Sequence, residues 1–265
     1  MPAAYENWGA SVPHGVEAHF FPECKSTNEI AADYARENKA SPIWIIAGSQ
    51  SGGKGRKGRT WVSERGNLYA SLLFRPAIKP ADMNALPFLI ALAVRDTLVN
   101  LEAPPADVQC KWPNDILLNG QKISGILIES STRSSDALDY VIVGIGINLR
   151  HSPRDALFPA TSLEQSLDRH VSVDKALKYL SRNVKDRLDA WDTKNFESIR
   201  SEWTGTAWGL GESRKINTAN EAFAGKLVGL DAQGALLVQL SDGSSRQILA
   251  ADIFPASSLA NEDTY

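Results

Sequence analysis

Two cysteines and four histidines are all that 265 residues offer to a disulfide framework or a soft metal. Cys24 and Cys110 are too few and too isolated for a cross-linked scaffold or a zinc site. His14, His19, His151 and His170 are scattered, at none of the spacings a metal ion needs. Long hydrophobic runs are also missing: the most apolar window, Ala85 to Val94, is ten residues and too short to span a bilayer. Met1 to Gly15 has no cationic start and no apolar core, so no secretory signal is expected there. Nor is there a basic excess, because 28 Lys and Arg stand against 31 Asp and Glu, a net charge of −3. A dedicated DNA or RNA binder neutralises phosphates with a basic surface, so that class is disfavoured. The absences point to a cytoplasmic protein with no membrane segment and no tightly bound metal, long enough for one large domain, or for a large one plus a small one.

What the chain does contain is Gln50 to Trp61, Gln-Ser-Gly-Gly-Lys-Gly-Arg-Lys-Gly-Arg-Thr-Trp, with four glycines, four cations and no acid in twelve residues. Glycine backbones approach a ligand closely, and uncompensated Lys and Arg repel one another until an anion arrives. Taken alone the loop reads equally well as an anion-binding loop or as a solvated basic segment, a nucleic-acid patch included. The slightly acidic total makes a small anion its expected partner.

Around that loop the chain predicts an α+β fold. Strands are expected at Val16–Cys24, Ile43–Ala47, Asn67–Phe74 and Val108–Trp112, then Ile116–Leu118 and Ile123–Ile128 around an Asn119-Gly120 hairpin turn, then Val141–Leu149. Helices are expected from Ser26, from Leu86 to Leu101 with Pro87 in the first turn, and from Ser172 to Trp191, where Leu177, Leu180, Val184, Leu188 and Trp191 form one stripe. Ser26-Thr27-Asn28-Glu29 has the capping-box pattern, in which the Ser26 hydroxyl and the Glu29 carboxylate satisfy each other's backbone N–H. In the strand at 141–149 side chains alternate, so Gly144, Gly146 and Asn148 share one face. A strand face stripped to glycine is a place where a ligand or a backbone comes close. After Trp203 come glycines and short strands with turns at Asp231–Gly234 and Asp242-Gly243, which suits a small β-barrel. The domain boundary is placed near Gly211, dividing 1–210 from 211–265.

Two familiar phosphate motifs fail. Gly48-Ser-Gln-Ser-Gly-Gly53-Lys54 satisfies most of a Walker A loop, but Gly55 stands where Ser or Thr must hold Mg²⁺, and Gly55-Arg-Lys-Gly58 is a poor helix start. Gly144-x-Gly146 lacks the third glycine of a dinucleotide fingerprint, since Leu149 takes its place. A second cluster, Lys111-Trp-Pro-Asn-Asp115 followed by Lys122-Ile-Ser-Gly125-Ile-Leu-Ile-Glu129, puts Asn114 and Asp115 in a turn after Pro113. There Asn can donate to a base or phosphate and Asp can bind Mg²⁺, although the same residues also suit an ordinary turn and solvated strand lysines.

These segments together resemble one family. Gly53-Lys-Gly-Arg-Lys-Gly-Arg-Thr-Trp61 is similar to the Gly-Arg-Gly-Arg-x-Gly-Arg-x-Trp loop of biotin–protein ligases, and Lys111-Trp-Pro-Asn-Asp115 and Lys122-x-x-Gly125-Ile-Leu-x-Glu129 match that family's other two signatures. Ser26-Thr-Asn28 and Gly144-x-Gly-x-Asn148 fall in the family's order. The resemblance covers about residues 16 to 255. It implies a biotin/lipoate ligase-like catalytic domain, a mixed sheet with helices packed on it, followed by a small SH3-like β-barrel. Two departures stand out: Lys54 replaces the loop's first Arg, keeping charge but not the planar fork, and fifteen or so N-terminal residues are too few for the helix-turn-helix arm of some relatives. No DNA binding is expected.

The resemblance further implies a reaction: biotin and Mg-ATP give biotinyl-AMP and pyrophosphate, and the biotinyl group passes to a lysine of a biotin carboxyl carrier domain. By the same resemblance Lys122 bridges biotin carboxylate and α-phosphate, with Arg56 and Lys111 the other catalytic cations. Arg56, Arg59, Lys111, Asn114, Asp115 and Asn148 fall to ATP, with Asp115 also assigned to Mg²⁺. Ser26, Thr27, Asn28, Gln50, Lys54 and Gly55 fall to biotin, whose slot Trp61, Gly125, Gly144 and Gly146 shape. For Ser26 the helix cap and the ligand compete for one hydroxyl. An exposed edge strand would permit a homodimer. The rivals are a lipoate or octanoate ligase or transferase of the same fold, and an anion or nucleic-acid binding module built on the basic loop.

Overall fold

The computed structural model describes residues 11–256 except 40, 135 and 194. Most of Met1 to Gly15, the stretch expected to carry no leader, therefore lies outside the described residues, as does the chain after 256. A seven-stranded mixed sheet forms the body, from β1 (Glu17–Phe21), β2 (Ile43–Ala47), β3 (Leu68–Phe74), β4 (Val108–Lys111), β5 (Asp115–Leu118), β6 (Gln121–Ser134) and β7 (Ala137–Ile147). Its order is β1-β2-β3-β7-β6-β5-β4, with only β1 and β2 parallel. The helices are α1 (Thr27–Arg36), α2 (Leu86–Asn100), α3 (Leu163–Leu167), α4 (Val173–Asp189) and α5 (Phe196–Thr204). Among the described residues no helix is long and apolar enough to cross a membrane.

Strand alternation divides the sheet into two faces. Trp44, Ile46, Leu72, Val143 and Ile145 join the large core that α2 and α4 complete. Ile43, Ile45, Leu73 and Ile142 point the other way and pack on Ala31 and Ala35 of α1. This second face changes character along its length. Under the later turns of α1 it is apolar, but under the helix's first turn the cross-strand row reads Ile45, Ser71, Gly144 and Leu127. The next row carries Gly125 opposite Gly146. Bulk is therefore withdrawn where α1 begins, and the site lies there.

The second sheet is antiparallel and holds β8 (Ser213–Asn217), β9 (Ala222–Leu230), β10 (Leu236–Gln239), β11 (Ser245–Ile248) and β12 (Asp252–Pro255). Its order, β11-β10-β9-β8-β12, leaves β11 and β12 unpaired with each other among the described residues, so hydrogen bonds do not close the expected barrel. The Cys110 N–H donates to the Thr206 carbonyl and the Trp208 N–H to the Cys110 carbonyl, tying the connection between the sheets to the outer strand of the first. Phe88 packs on Phe196 and, edge to face, on Trp203, with ring centroids 5.6 and 5.3 Å away. Such pairs add to simple burial, and they hold the second sheet's support against α2. Four elements were absent from the sequence reading: α3, α5, β8 and β12.

Candidate active site

A cavity of about 410 Å³ opens on the glycine face, and every residue assigned from the sequence to biotin, ATP or catalysis lines it. Four stretches of chain converge there: the start of α1, the loop 50–61, the Pro113–Asp115 turn, and the segment 153–160 after β7. Asp252 and Phe254, from β12 of the second sheet, complete the wall.

One end is uncharged. The Trp61 indole lies flat against the two glycines of the sheet, so a Cβ on Gly125 would meet Cζ3 at 2.8 Å and one on Gly146 would meet Nε1 at 2.5 Å. A Cβ on Gly144 would sit 2.2 Å from Asn28 Oδ1. The glycines thus make room for two of the protein's own side chains, which in turn wall the slot. Trp61 Nε1, packed against Gly146, is buried with no hydrogen-bond partner among the described residues.

The expected capping box is absent. Ser26 occupies the N-cap with extended backbone but makes no side-chain cap bond. Glu29 instead pairs with Lys54 at 2.6 Å and Lys25 at 3.3 Å, because these cations outbid a neutral N–H for the carboxylate. Its carboxyl is accordingly held below its usual value, first by the Lys54 contact. The Ser26 hydroxyl, buried at the cavity wall, is not spent on the helix cap. Lys54, which lines the cavity, is in turn tied to Glu29.

The other end is a charge cluster. Asp115 Oδ1 lies 2.5 Å from Lys122 Nζ, and Oδ2 lies 3.4 Å from Lys111 Nζ. Lys111 is only 6% exposed and its ammonium stands 4.6 Å above the Phe158 ring. Burial pushes the Lys111 pKa down, whereas for Asp115 the burial penalty is outweighed by the two lysines, which hold its carboxyl below the ordinary range. Arg56 donates to Asn114 Oδ1 at 3.1 Å, and Asn114 Nδ2 donates to the Ile126 carbonyl at 2.7 Å. Arg59 forms a two-pronged contact with Asp252, joined by Lys57 at 3.3 Å. Five cations, Lys54, Arg56, Arg59, Lys111 and Lys122, line the cavity against three carboxylates, Asp115, Asp155 and Asp252. The surplus suits a polyphosphate.

Magnesium fits this donor set poorly as a resident ion. Both Asp115 oxygens face ammonium groups, and no group of three or more His, Cys, Asp or Glu is placed to hold a metal among the described residues. In this arrangement Asp115 stands as the counter-charge for two lysines. A hard cation that keeps its waters and rides on substrate phosphates needs no protein cage.

Neither thiol lines the cavity, and burial is the main reason the Cys24 pKa is raised to about 11 and that of Cys110 to about 12. A thiolate nucleophile is therefore not available at neutral pH.

Asn67 carried no sequence signal, yet it is 3% exposed and its Oδ1 accepts from the N–H groups of Leu149, Arg150 and His151 at 2.9 to 3.0 Å. It pins the start of the segment that returns over the cavity. Asn148 is likewise buried, donating to the Thr161 carbonyl at 3.0 Å. Asp252, Phe158 and Phe254 were also missed, because they lie far along the chain and carry no local pattern.

The biotin/lipoate A/B protein ligase family model matches residues 20–148, and that of the biotin protein ligase C-terminal domain matches 209–254. The biotin–acetyl-CoA-carboxylase ligase of Paracoccus denitrificans is 36% identical over 86% of this chain and 96% of its own length. This chain belongs to the biotin protein ligase family. The Bacillus subtilis bifunctional ligase/repressor BirA is 34% identical over 86% of this chain and 70% of its own length. Among solved structures, the Aquifex aeolicus biotin protein ligase in complex with biotin and ATP has a TM-score of 0.76 at 29% identity, covering 89% of this chain and 97% of that one. Membership carries an ATP-dependent ligase activity, and it turns the glycine face into a quantitative expectation. Because a methyl on Gly144 overlaps Asn28, Gly144→Ala should displace Asn28, cost about 1–3 kcal/mol of stability and weaken biotin binding. Calorimetric titration and a thermal melt would measure both.

Proposed function

We propose that this ligase seats biotin in the slot under Trp61 and ATP at the lysine end, and that Lys122 bridges them. One observation carries the assignment. Lys122 Nζ is 5.3 Å from the Trp61 ring and 2.5 Å from Asp115, so it stands where the uncharged slot meets the charge cluster. A carboxylate projecting from the slot and the α-phosphate of ATP meet at that junction.

The chemistry follows from the charges. A biotin carboxylate oxygen attacks the α-phosphorus and the bond to pyrophosphate breaks, bringing negative groups together and spreading charge over the phosphoryl oxygens. Fixed ammonium and guanidinium groups favour that transition state over the separated reactants. Lys111 and Asp115 hold Lys122 in place, while Arg56 and Arg59 take the outer phosphates, Arg59 exchanging Asp252 for phosphate. In the second step a carrier lysine amine attacks the biotinyl carbon and AMP leaves. The carrier is the biotin carboxyl carrier domain of a biotin-dependent carboxylase, a reading supported by the name of the Paracoccus relative. Asn148 is assigned to the adenylate. The 211 boundary is proposed because β8 begins at Ser213. As the outermost strand of its sheet, β1 offers an edge for a second copy.

The lipoate reading is disfavoured by the slot's walls, which bring the hydrogen-bonding side chains of Thr27, Asn28 and Gln50 to the lining, groups that an unbranched acyl chain has no use for. Thermal unfolding with biotin tests the choice: at 100 times its Kd a specific ligand adds about 2.7 kcal/mol. A shift with biotin and none with lipoate or RNA is expected, along with biotin-dependent ATP–pyrophosphate exchange. A shift with lipoate alone would overturn the assignment.

A further inference from the structure

Behind the slot runs a chain of hydrogen bonds whose direction is set at both ends. At one end the Glu129 carboxylate accepts from Asn28 Nδ2 at 2.6 Å. At the other the Trp61 carbonyl accepts from the Ser63 hydroxyl at 2.9 Å, and Ser63 Oγ accepts from Gln50 Nε2 at 2.9 Å. Both ends are acceptors only. The Asn28 and Gln50 amides are therefore oriented, each presenting its oxygen inward toward Thr27 and Ser71.

Ser71 stands at the centre. It is fully buried beneath the first turn of α1, outside the cavity wall, with Oγ 2.6 Å from Asn28 Oδ1 and 2.7 Å from Thr27 Oγ1. Gln50 Oε1 accepts from the Thr27 N–H at 2.8 Å and its hydroxyl at 3.2 Å. Two hydroxyl protons are thus available for two amide oxygens. Among the described residues, Ser71 and Gln50 are the neighbours within reach of the Thr27 proton, and either choice spends it inside the protein. What Thr27 offers the cavity is a lone pair.

We infer that Ser71 is a positioning residue that sets Thr27 as a hydrogen-bond acceptor, so that the slot selects a ring bearing an N–H at that point. Resting on the biotin assignment above, the inference names the feature selected: one N–H of the ureido group. A ring without that donor would leave the Thr27 lone pair buried and unpaired, which disfavours it more strongly than a lost contact at a wet surface.

The test is calorimetric titration of biotin, desthiobiotin, which keeps the ureido ring, and ATP into the intact protein and its variants. Ser71→Cys keeps the volume and packing of the site but donates weakly, so a packing role predicts near-normal binding and a proton-setting role does not. Ser71→Cys and Ser71→Ala should each weaken biotin and desthiobiotin by about 10-fold or more, with ATP affinity and thermal midpoint near those of the parent. In turnover the loss should fall on the KM for biotin rather than on kcat. Glu129, exposed at the outer end, provides a variant that folds: Glu129→Ala should weaken biotin in the same sense, and Glu129→Gln, whose carbonyl still accepts from Asn28, should restore it. Ser71→Cys binding biotin within about 2-fold of the parent would overturn the inference, since that is below the loss of one hydrogen bond. Failure of the parent protein to bind biotin would instead overturn the assignment on which it rests.

Discussion

Lys122→Ala is expected to lower biotin-dependent ATP–pyrophosphate exchange by about 1,000-fold, the upper range for removing one pre-organised charge donor from a transition state. Biotin affinity should change far less, because the ammonium stands at the mouth of the slot rather than on its polar wall. The protein should stay folded. What holds this part of β6 in place is backbone: the Lys122 N–H donates to the Pro159 carbonyl and its own carbonyl accepts from Thr161. The side chain is a quarter exposed, and Asp115 retains Lys111 as partner. Lys122→Arg keeps the charge on a longer, planar group, so part of the exchange should return. Exchange within about 10-fold of the parent for Lys122→Ala would remove Lys122 from the chemistry, because one misplaced donor costs more than that.

Asp115→Asn should have the largest effect on stability. Asp115 is 8% exposed and is the counter-charge for a lysine that is 6% exposed. Removing one partner of a buried pair leaves the other charge uncompensated, at a cost of about 3–5 kcal/mol. For a chain of this size that lowers the thermal midpoint by about 10 °C. Adding Lys111→Met should recover part of the loss, because it removes the orphaned charge while keeping the bulk that packs near Phe158. The pH dependence has a definite sign. Two ammonium groups hold the Asp115 carboxyl below its unfolded value, so its contribution is present above that value and is lost as pH falls through the lower, folded one. Parent and Asp115→Asn should therefore converge in stability in acid, below the usual carboxylate range of about 4, and differ most near neutrality. Denaturant titrations across that range would measure it, and a constant difference at all pH values would contradict the counter-charge role.

Much of the site was legible because its residues sit in short, chemically unusual runs. The loop at 50–61, the Lys111–Asp115 turn and the Gly144–Asn148 strand each break a composition rule that ordinary surface obeys, and all three line one cavity. Partnership was less legible. Ser26 to Glu29 has every residue of a capping box, yet Glu29 turns to Lys25 and Lys54, cations brought near only by the fold. Asp115 follows a proline in a turn that suits a metal ligand, yet two lysines, one four residues before it and one seven after, close on it across the β4–β5–β6 pairing. Glycines on a strand face announced close approach correctly, but the approaching groups are Trp61 and Asn28.

The sequence by itself determined the alternation of the sheet, the hairpin turn at Asn119-Gly120 with φ of 51° and 72°, the apolar stripe of α4 and the family. Each depends on neighbours within a few residues, or on motifs whose joint occurrence is specific. Only the tertiary structure decided which charge meets which, that Asp252 of β12 engages the basic loop, and that a serine in the middle of β3 lies within hydrogen-bond reach of Thr27 and Asn28. A buried ion pair or hydrogen-bond chain is a matter of distances of a few ångströms between residues up to nearly two hundred positions apart, and no local pattern encodes it.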